Sequence, residues 1–249
     1  MGHFYSKDIK PQFTILGKNG KERDTTIKDC REHGWLPSVT SILQIMDKPT
    51  INLWMQSQAI LAACTLPRLP DETEDAFVIR VQTDARKHSE DAKRFGTCIH
   101  ACIESFLTNK PLPCDLIYDD RIKNTWDNFR SFILEHGMVG NRCEVTMVND
   151  RYAGTIDCLG KFLIYDAIID FKTQNTKENK PVQYYPEHIY QLAAYSQLAG
   201  TLQHKHISII ISSSDPKRVE YKIWEQEEVD RGLEIFNLAC QLFYKVKNL

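Results

Sequence analysis

Five residues, Ile168-Ile169-Asp170-Phe171-Lys172, restrict the folds open to this chain more than any other stretch. The run is short and apolar, the pattern of a strand buried inside a sheet. Side chains alternate along a strand, so Asp170 and Lys172 share one face while Ile169 and Phe171 point the other way, into the core. Charge in such a place is costly unless a partner or a metal ion compensates it. Taken alone, the plainer reading, a structural Asp–Lys neighbourhood at a strand end, is the stronger of the two.

The flanking sequence places this strand in a mixed fold. Cys143 to Val148 and Tyr152 to Phe162 read as strands separated by an Asn149-Asp150 turn, and a helix follows, starting at Pro181 or later and ending at Ala199 with Gly200 as its stop. Ile207 to Ser212 and Val219 to Trp224 read as further strands. Val229, Leu233, Phe236, Cys240 and Phe243 mark a last helix. Upstream the pattern is helical: Thr50 to Cys64, Asp71 to Lys93, Gly96 to Thr108 and Asp119 to His136, the last with Ile122, Trp126, Phe129, Phe132 and Ile133 at helical spacing. Residues 12 to 28, with Asn19-Gly20, predict a β-hairpin. Three regions result: an N-terminal hairpin extension over 1–34, a helical lobe over 35–137, and an α/β core over 138–249 that forms one unit with helix 96–108.

Composition excludes several classes. With 249 residues, 42% hydrophobic and 26% charged, the chain reads as a globular protein able to bury a large core. No apolar run is long enough to span a bilayer, and Met1 to Lys10 lacks an apolar signal-type stretch, so the expected compartment is the cytoplasm, with no membrane partner. The eight cysteines are scattered without a CxxC pair, which suits reduced thiols better than disulfides or a zinc ribbon. A net charge of −2 argues mildly against a nucleic-acid partner, although acidic clusters that bind metal ions change the local balance.

Several other residues bear on Asp170 and Lys172. Gly154-Thr155-Ile156-Asp157 lies on the preceding strand, and antiparallel pairing can set Asp157 beside Asp170, where two carboxylates repel unless a cation separates them. Hard oxygen ligands favour Mg²⁺ or Mn²⁺. His100 and Glu104 are four apart on the helix opened by Gly96, hence on one face at the edge of an apolar arc. A satisfied boundary histidine is the plainer alternative, and a zinc site from Cys98, His100 and Cys102 is weaker because the cysteines face elsewhere. Gln191 and Tyr195 share the same spacing on the helix after the Asp-x-Lys strand. Trp35, Trp54 and Trp126 are candidate base-stacking platforms, with core packing the better prior for most of them.

The order of these features carries more than each alone. A helix with His100-x₃-Glu104, a strand with Glu144, Gly-Thr-Ile-Asp157, Asp170-x-Lys172 and a helix with Gln191-x₃-Tyr195 together resemble the RecB-like exonuclease branch of the PD-(D/E)XK nuclease superfamily. Leu36-Pro37-Ser38-Val39-Thr40-Ser41-Ile42-Leu43 and Ala92-Lys93-Arg94-Phe95-Gly96-Thr97 look like signatures of its phage and mitochondrial members. The resemblance covers roughly residues 35 to 225.

The resemblance implies a restriction-endonuclease-like core, a mixed central sheet flanked by helices, with a helical lobe in front. It implies a metal-dependent deoxyribonuclease, preferentially an exonuclease on single-stranded or end-containing DNA, in a bacterial or phage-infected cell and in company with recombination or replication proteins. The alternatives are a structure-specific endonuclease and a catalytically silent DNA-binding module. One or two ions, Mg²⁺ or Mn²⁺, would be ligated by His100, Asp157, Asp170 and the backbone carbonyl of Phe171. Lys172 would orient the attacking water or stabilise developing charge, Glu104 and Glu144 would act in the outer shell or on a second ion, and Gln191 and Tyr195 would flank the scissile phosphate. DNA contacts would come from Ser38, Thr40, Arg94, Thr97, Thr173 and Tyr195. Some relatives hold an iron–sulphur cluster on one upstream and three late cysteines. Only Cys240 follows the Gln191/Tyr195 helix here, so no cluster is expected.

Overall fold

The computed structural model describes residues 3–18, 20–113 and 119–249. Near the N-terminus, β1 (Phe4–Tyr5) pairs antiparallel with β4 (Leu36–Pro37), and β2 (Thr14–Leu16) with β3 (Glu22–Asp24). The predicted hairpin is therefore present, although Asn19 in its turn lies outside the described residues. The segment is less separate than the sequence suggests. Thr26 caps α1 (Ile27–His33) with Asp29, which is buried and bridged to Arg23 at 2.7 Å. Tyr5 and Leu36 pack against Ala153 of the core.

The central sheet has five strands: β5 (Val139–Val148), β6 (Ala153–Phe162), β7 (Tyr165–Gln174), β8 (Lys205–Ser212) and β9 (Val219–Trp224), in that spatial order. Three antiparallel strands are followed by a parallel step from β7 to β8, bridged by α6 (Pro186–Ala199), and β9 returns antiparallel. A parallel neighbour requires such a crossover. The two faces carry separate apolar layers, as a buried α/β sheet demands. On one face Ile156, Leu159 and Ile168 meet α2 (Val39–Leu43), α6 and α7 (Gln226–Lys247). On the other, Cys158, Ile169, Phe171, Ile207 and Ile209 meet the far half of α4 (Glu74–Leu107) and α5 (Asp120–Glu135). The fold is thus mixed α/β, a five-stranded sheet with flanking helices.

Three boundaries differ from the sequence reading. The helices expected at 71–93 and 96–108 are one helix, because Gly96 at a cost of about 1 kcal/mol does not break it. Gly96 serves another end: a Cβ there would lie 3.0 Å from Thr173 Oγ1, so its absence lets α4 come down against β7. The core strands extend beyond their most apolar stretches. Finally, α2 and α5 pack on the sheet rather than in a separate lobe. The helix α3 (Pro49–Thr65) lies along α4 and leaves Ile51, Leu53, Trp54, Met55, Ile60 and Leu61 exposed. Among the described residues no helix is long and apolar enough to cross a membrane.

Candidate metal centre

Register brings the acidic residues together. Cys143 faces Cys158 and Val145 faces Ile156, which sets Glu144 opposite Asp157. Cys158 faces Ile169, and the next position along sets Asp157 opposite Asp170. Glu144, Asp157 and Asp170 therefore occupy one row across three adjacent strands. The sheet opens along that row. Bonded pairing of β6 with β7 stops at Cys158 and Ile169, and the Asp157 carboxylate takes the Phe171 N–H at 2.9 Å in place of a backbone acceptor. Glu144 adopts φ +50, a left-handed conformation rare for a non-glycine residue inside a strand.

His100 on α4 lies over this row. Its Nε2 is 3.0 Å from the Phe171 carbonyl oxygen. A carbonyl only accepts, so Nε2 donates and Nδ1 is left facing Glu144 Oε1 and Asp157 Oδ2, each at 3.8 Å. Ligand atoms of His100, Glu144 and Asp157 all lie within 4.8 Å of one another. Two donors on one small divalent cation stand at most about 4.2 Å apart, twice a bond of about 2.1 Å, so small side-chain adjustments close the cluster on an ion.

This differs from the expected ligand set in three respects. Glu144, anticipated in the outer shell or on a second ion, takes the third place in the cluster. Asp170, 1% exposed, is instead held by Lys172, with Nζ 2.5 Å from Oδ1. Its Oδ2 is buried and has no partner among the described residues, an expensive state for a carboxylate oxygen that a cation would relieve. The Phe171 carbonyl, expected on the metal, accepts from His100.

The charges are strongly coupled. Burial, and then the neighbouring Asp170, push the Asp157 carboxyl up to about 6. Burial drives the His100 imidazole toward neutrality, but the Glu144 and Asp157 carboxylates outweigh it and hold the pKa above the ordinary value. Lys172 is likewise penalised by burial and more than repaid by Asp170 and Asp157, so its ammonium stays charged. Burial, then Asp157 and Asp170, raise the Tyr195 phenol far above its usual range, which keeps it neutral.

Some of the other predicted residues line the cleft at this centre and others lie elsewhere. Thr97, His100, Glu104, Glu144, Phe171, Lys172 and Thr173 line one cleft of about 520 Å³. Glu104 is bridged to Lys110 at 2.8 Å. Gln191 Nε2 donates to the Tyr195 hydroxyl at 3.0 Å, and the Tyr195 ring packs where a Cβ on Gly154 would be, 2.4 Å from Cε1. Arg94 is exposed and pairs with Asp119 at 3.1 Å. Thr40 is exposed, but Ser38 is buried as the N-cap of α2, its hydroxyl accepting from Ser41 N and contacting Ser41 Oγ. Trp126 is buried in the core, Trp35 stacks on His33, and Trp54 is exposed on α3. A slightly larger cavity near Phe132, His136 and Tyr221, about 570 Å³, lies away from the acidic row.

Sequence reasoning missed Tyr5, whose hydroxyl lies 3.2 Å from Thr155 Oγ1, and Lys48 and His188, which border a second cavity beside Lys172. His188 was findable, being three residues before Gln191 on the same helix.

No protein-family model and no curated protein matches the chain. A solved structure described as "Crystal structure of SSO0001" aligns at 14% identity over 77% of this chain and 86% of that one, with a TM-score of 0.26, a likeness too low to bear on fold or function.

Proposed function

We propose that the chain is a divalent-metal-dependent nuclease that hydrolyses DNA phosphodiester bonds on a PD-(D/E)XK core of the RecB-like type, acting on single-stranded DNA or free ends. One observation carries this reading: a row of three carboxylates at a fork in the sheet, capped by His100 Nδ1 and flanked by a half-buried charged lysine. His100, Glu144 and Asp157 hold the ion, with the orphaned Asp170 oxygen available beside them. A bound Mg²⁺ or Mn²⁺ there supplies an acidified water and neutralises charge on the phosphoryl oxygens. The donor set of one imidazole and carboxylates suits Mn²⁺ as well as Mg²⁺.

The side chains divide the remaining work. Asp170 fixes the Lys172 ammonium, which points charge at the oxygens that become more negative as the phosphorus is attacked. Asp157 both faces the ion and pins the Phe171 amide, which aligns the strand carrying Asp170 and Lys172. Glu104, one turn along α4 from His100, lines the same cleft and serves a second ion or an outer-shell contact. Gln191 orients the neutral Tyr195 hydroxyl as a donor to a phosphate oxygen.

The test is end-labelled DNA incubated with Mg²⁺ or Mn²⁺, wild type beside Lys172→Ala. Hydrolysis is expected to depend on the ion, to stop with a chelator, and to fall roughly 10²–10³-fold in the variant, as for loss of one donor to developing charge. Equal digestion by both proteins, or full activity without metal, would refute the reading. A circular single strand beside the linear one separates exonuclease from endonuclease: the circle is expected to survive.

A further inference from the structure

Lys172 borders two cavities. One is the cleft below His100 and Glu144. The other, about 490 Å³, opens on the opposite side between the start of α3 and the start of α6. Its walls are mainly apolar and aromatic, with Ile51 on one side and the half-buried rings of Tyr185 and Tyr190 on the other. Two ammonium groups reach it: Lys172, which Asp170 holds, and Lys48, which forms no ion pair among the described residues; the Asp47 and Glu187 carboxylates line it as well. His188 lines it too, 8% exposed, with its buried Nδ1 lacking a hydrogen-bond partner among the described residues.

These features make three separate demands on an occupant. Aromatic and aliphatic walls ask for a flat apolar body. The unsatisfied imidazole nitrogen asks for a hydrogen-bonding edge. The Lys48 ammonium, without an ion pair among the described residues, asks for an anion. A bare inorganic anion meets only the last, and an apolar side chain only the first. A nucleotide meets all three, and the volume lies within the range of about 300–1,000 Å³ common to small-ligand sites. His188 suits a base edge rather than a phosphate, because burial lowers its pKa to about 4 and leaves the ring neutral.

We propose that this cavity is a subsite for the nucleotide next to the scissile bond, taking its base against Tyr185 and Tyr190 with His188 at the base edge and Lys48 on the adjoining phosphate. The inference rests on the nuclease reading for its place in the reaction, since Lys172 joins the cavity to the acidic row. It also narrows the substrate. A base lodged in a side cavity has left its stack and its partner, so the strand beside the reacting phosphate must be unpaired.

The experiment has two arms. In the first, dAMP is titrated into wild type, Lys48→Ala, His188→Gln and Tyr190→Ala in the presence of a chelator, with inorganic phosphate as the comparison ligand. Wild type is expected to bind dAMP more tightly than phosphate, and Tyr190→Ala to weaken dAMP roughly ten-fold or more, the scale of one lost base stack. In the second, hydrolysis of a linear single strand with Mn²⁺ is expected to show a raised KM in the same variants with kcat within a few-fold of wild type. Lys48→Ala, a surface change, guards against misfolding of the Tyr190 variant.

Equal affinity for phosphate and dAMP would overturn the base subsite. So would dAMP affinity and KM unchanged in all three variants. If wild type hydrolyses nothing yet binds dAMP and loses it in the variants, the nuclease reading fails while the nucleotide site stands. If hydrolysis is normal but dAMP does not bind, the cavity proposal fails alone.

Discussion

Glu144 and Asp157 show what the centre costs in the absence of an ion. A non-glycine residue held at φ +50 stores strain on the order of 1–3 kcal/mol, and its neighbour is a carboxylate that burial makes reluctant to ionise. Glycine accepts the left-handed conformation freely. Glu144→Gly is therefore expected to be more stable than Glu144→Ala by about 1 kcal/mol in denaturant unfolding, although both lose the same carboxylate. An equal effect of the two changes would mean that φ at this position carries no strain. Asp157 gives a pH-dependent counterpart. Its folded pKa, about 6, is raised above the 3.8 of the free side chain, so the folded protein holds this proton more tightly than the unfolded chain. The penalty is absent below about pH 4, grows as pH rises through 6, and is complete at neutral pH. Asparagine cannot ionise but still offers an oxygen to the Phe171 amide. Metal-free Asp157→Asn is thus expected to melt above wild type at pH 8, by an amount equivalent to about 1–3 kcal/mol, with the gap closing toward pH 4. A gap independent of pH would show that ionisation at this site does not burden the fold.

At the scale of elements, the site depends on close approaches between secondary structures. Gly154 on β6 lies under the Tyr195 ring of α6, and an added Cβ would stand 2.4 Å from a ring carbon. Gly154→Ala should displace that ring and destabilise by about 1–3 kcal/mol, the usual scale of overpacking. Its cost should shrink in the Tyr195→Ala background, and additive penalties in that double-mutant cycle would argue against direct contact as the cause. Much of this framework was legible in the chain. Alternation and order gave the strands carrying Asp157 and Asp170, and helical spacing gave His100 with Glu104 and Gln191 with Tyr195. What stayed hidden depends on partners distant in sequence. Nothing local marks Glu144 as left-handed, because its kink is defined by the strand it faces. Gly96 reads as the opening of a separate helix until it is found inside α4 with Thr173 packed against it. Ser38 reads as a surface contact until its hydroxyl is found capping α2 inside the core. The second cavity joins residues 46–51 to 185–191, which no periodicity links.

Across the whole molecule these local costs converge on one expectation. The three carboxylates lie on three neighbouring strands of the central sheet, and His100 comes from a helix packed on its face. An ion held there ties β5, β6 and α4 together, while β7 joins through Asp170 and the Phe171 amide. Unfolding must dissolve that cluster, and the extended chain offers no comparable gathering of the same groups. Binding to the folded state alone adds RT ln(1 + [L]/Kd), about 2.7 kcal/mol at a hundred-fold excess over Kd. For a chain of this size each kcal/mol moves the melting temperature by about 2–4 °C, so saturating Mn²⁺ should raise it by about 5–10 °C over the chelated protein. His100→Ala removes the imidazole of the cluster and should abolish most of that rise. Lys48→Ala lies across Lys172 in the other cavity and should keep it. A melting temperature unmoved by Mn²⁺ in the wild type would mean that the row of carboxylates is stabilised by His100 and Lys172 alone, as a structural charge network without an ion.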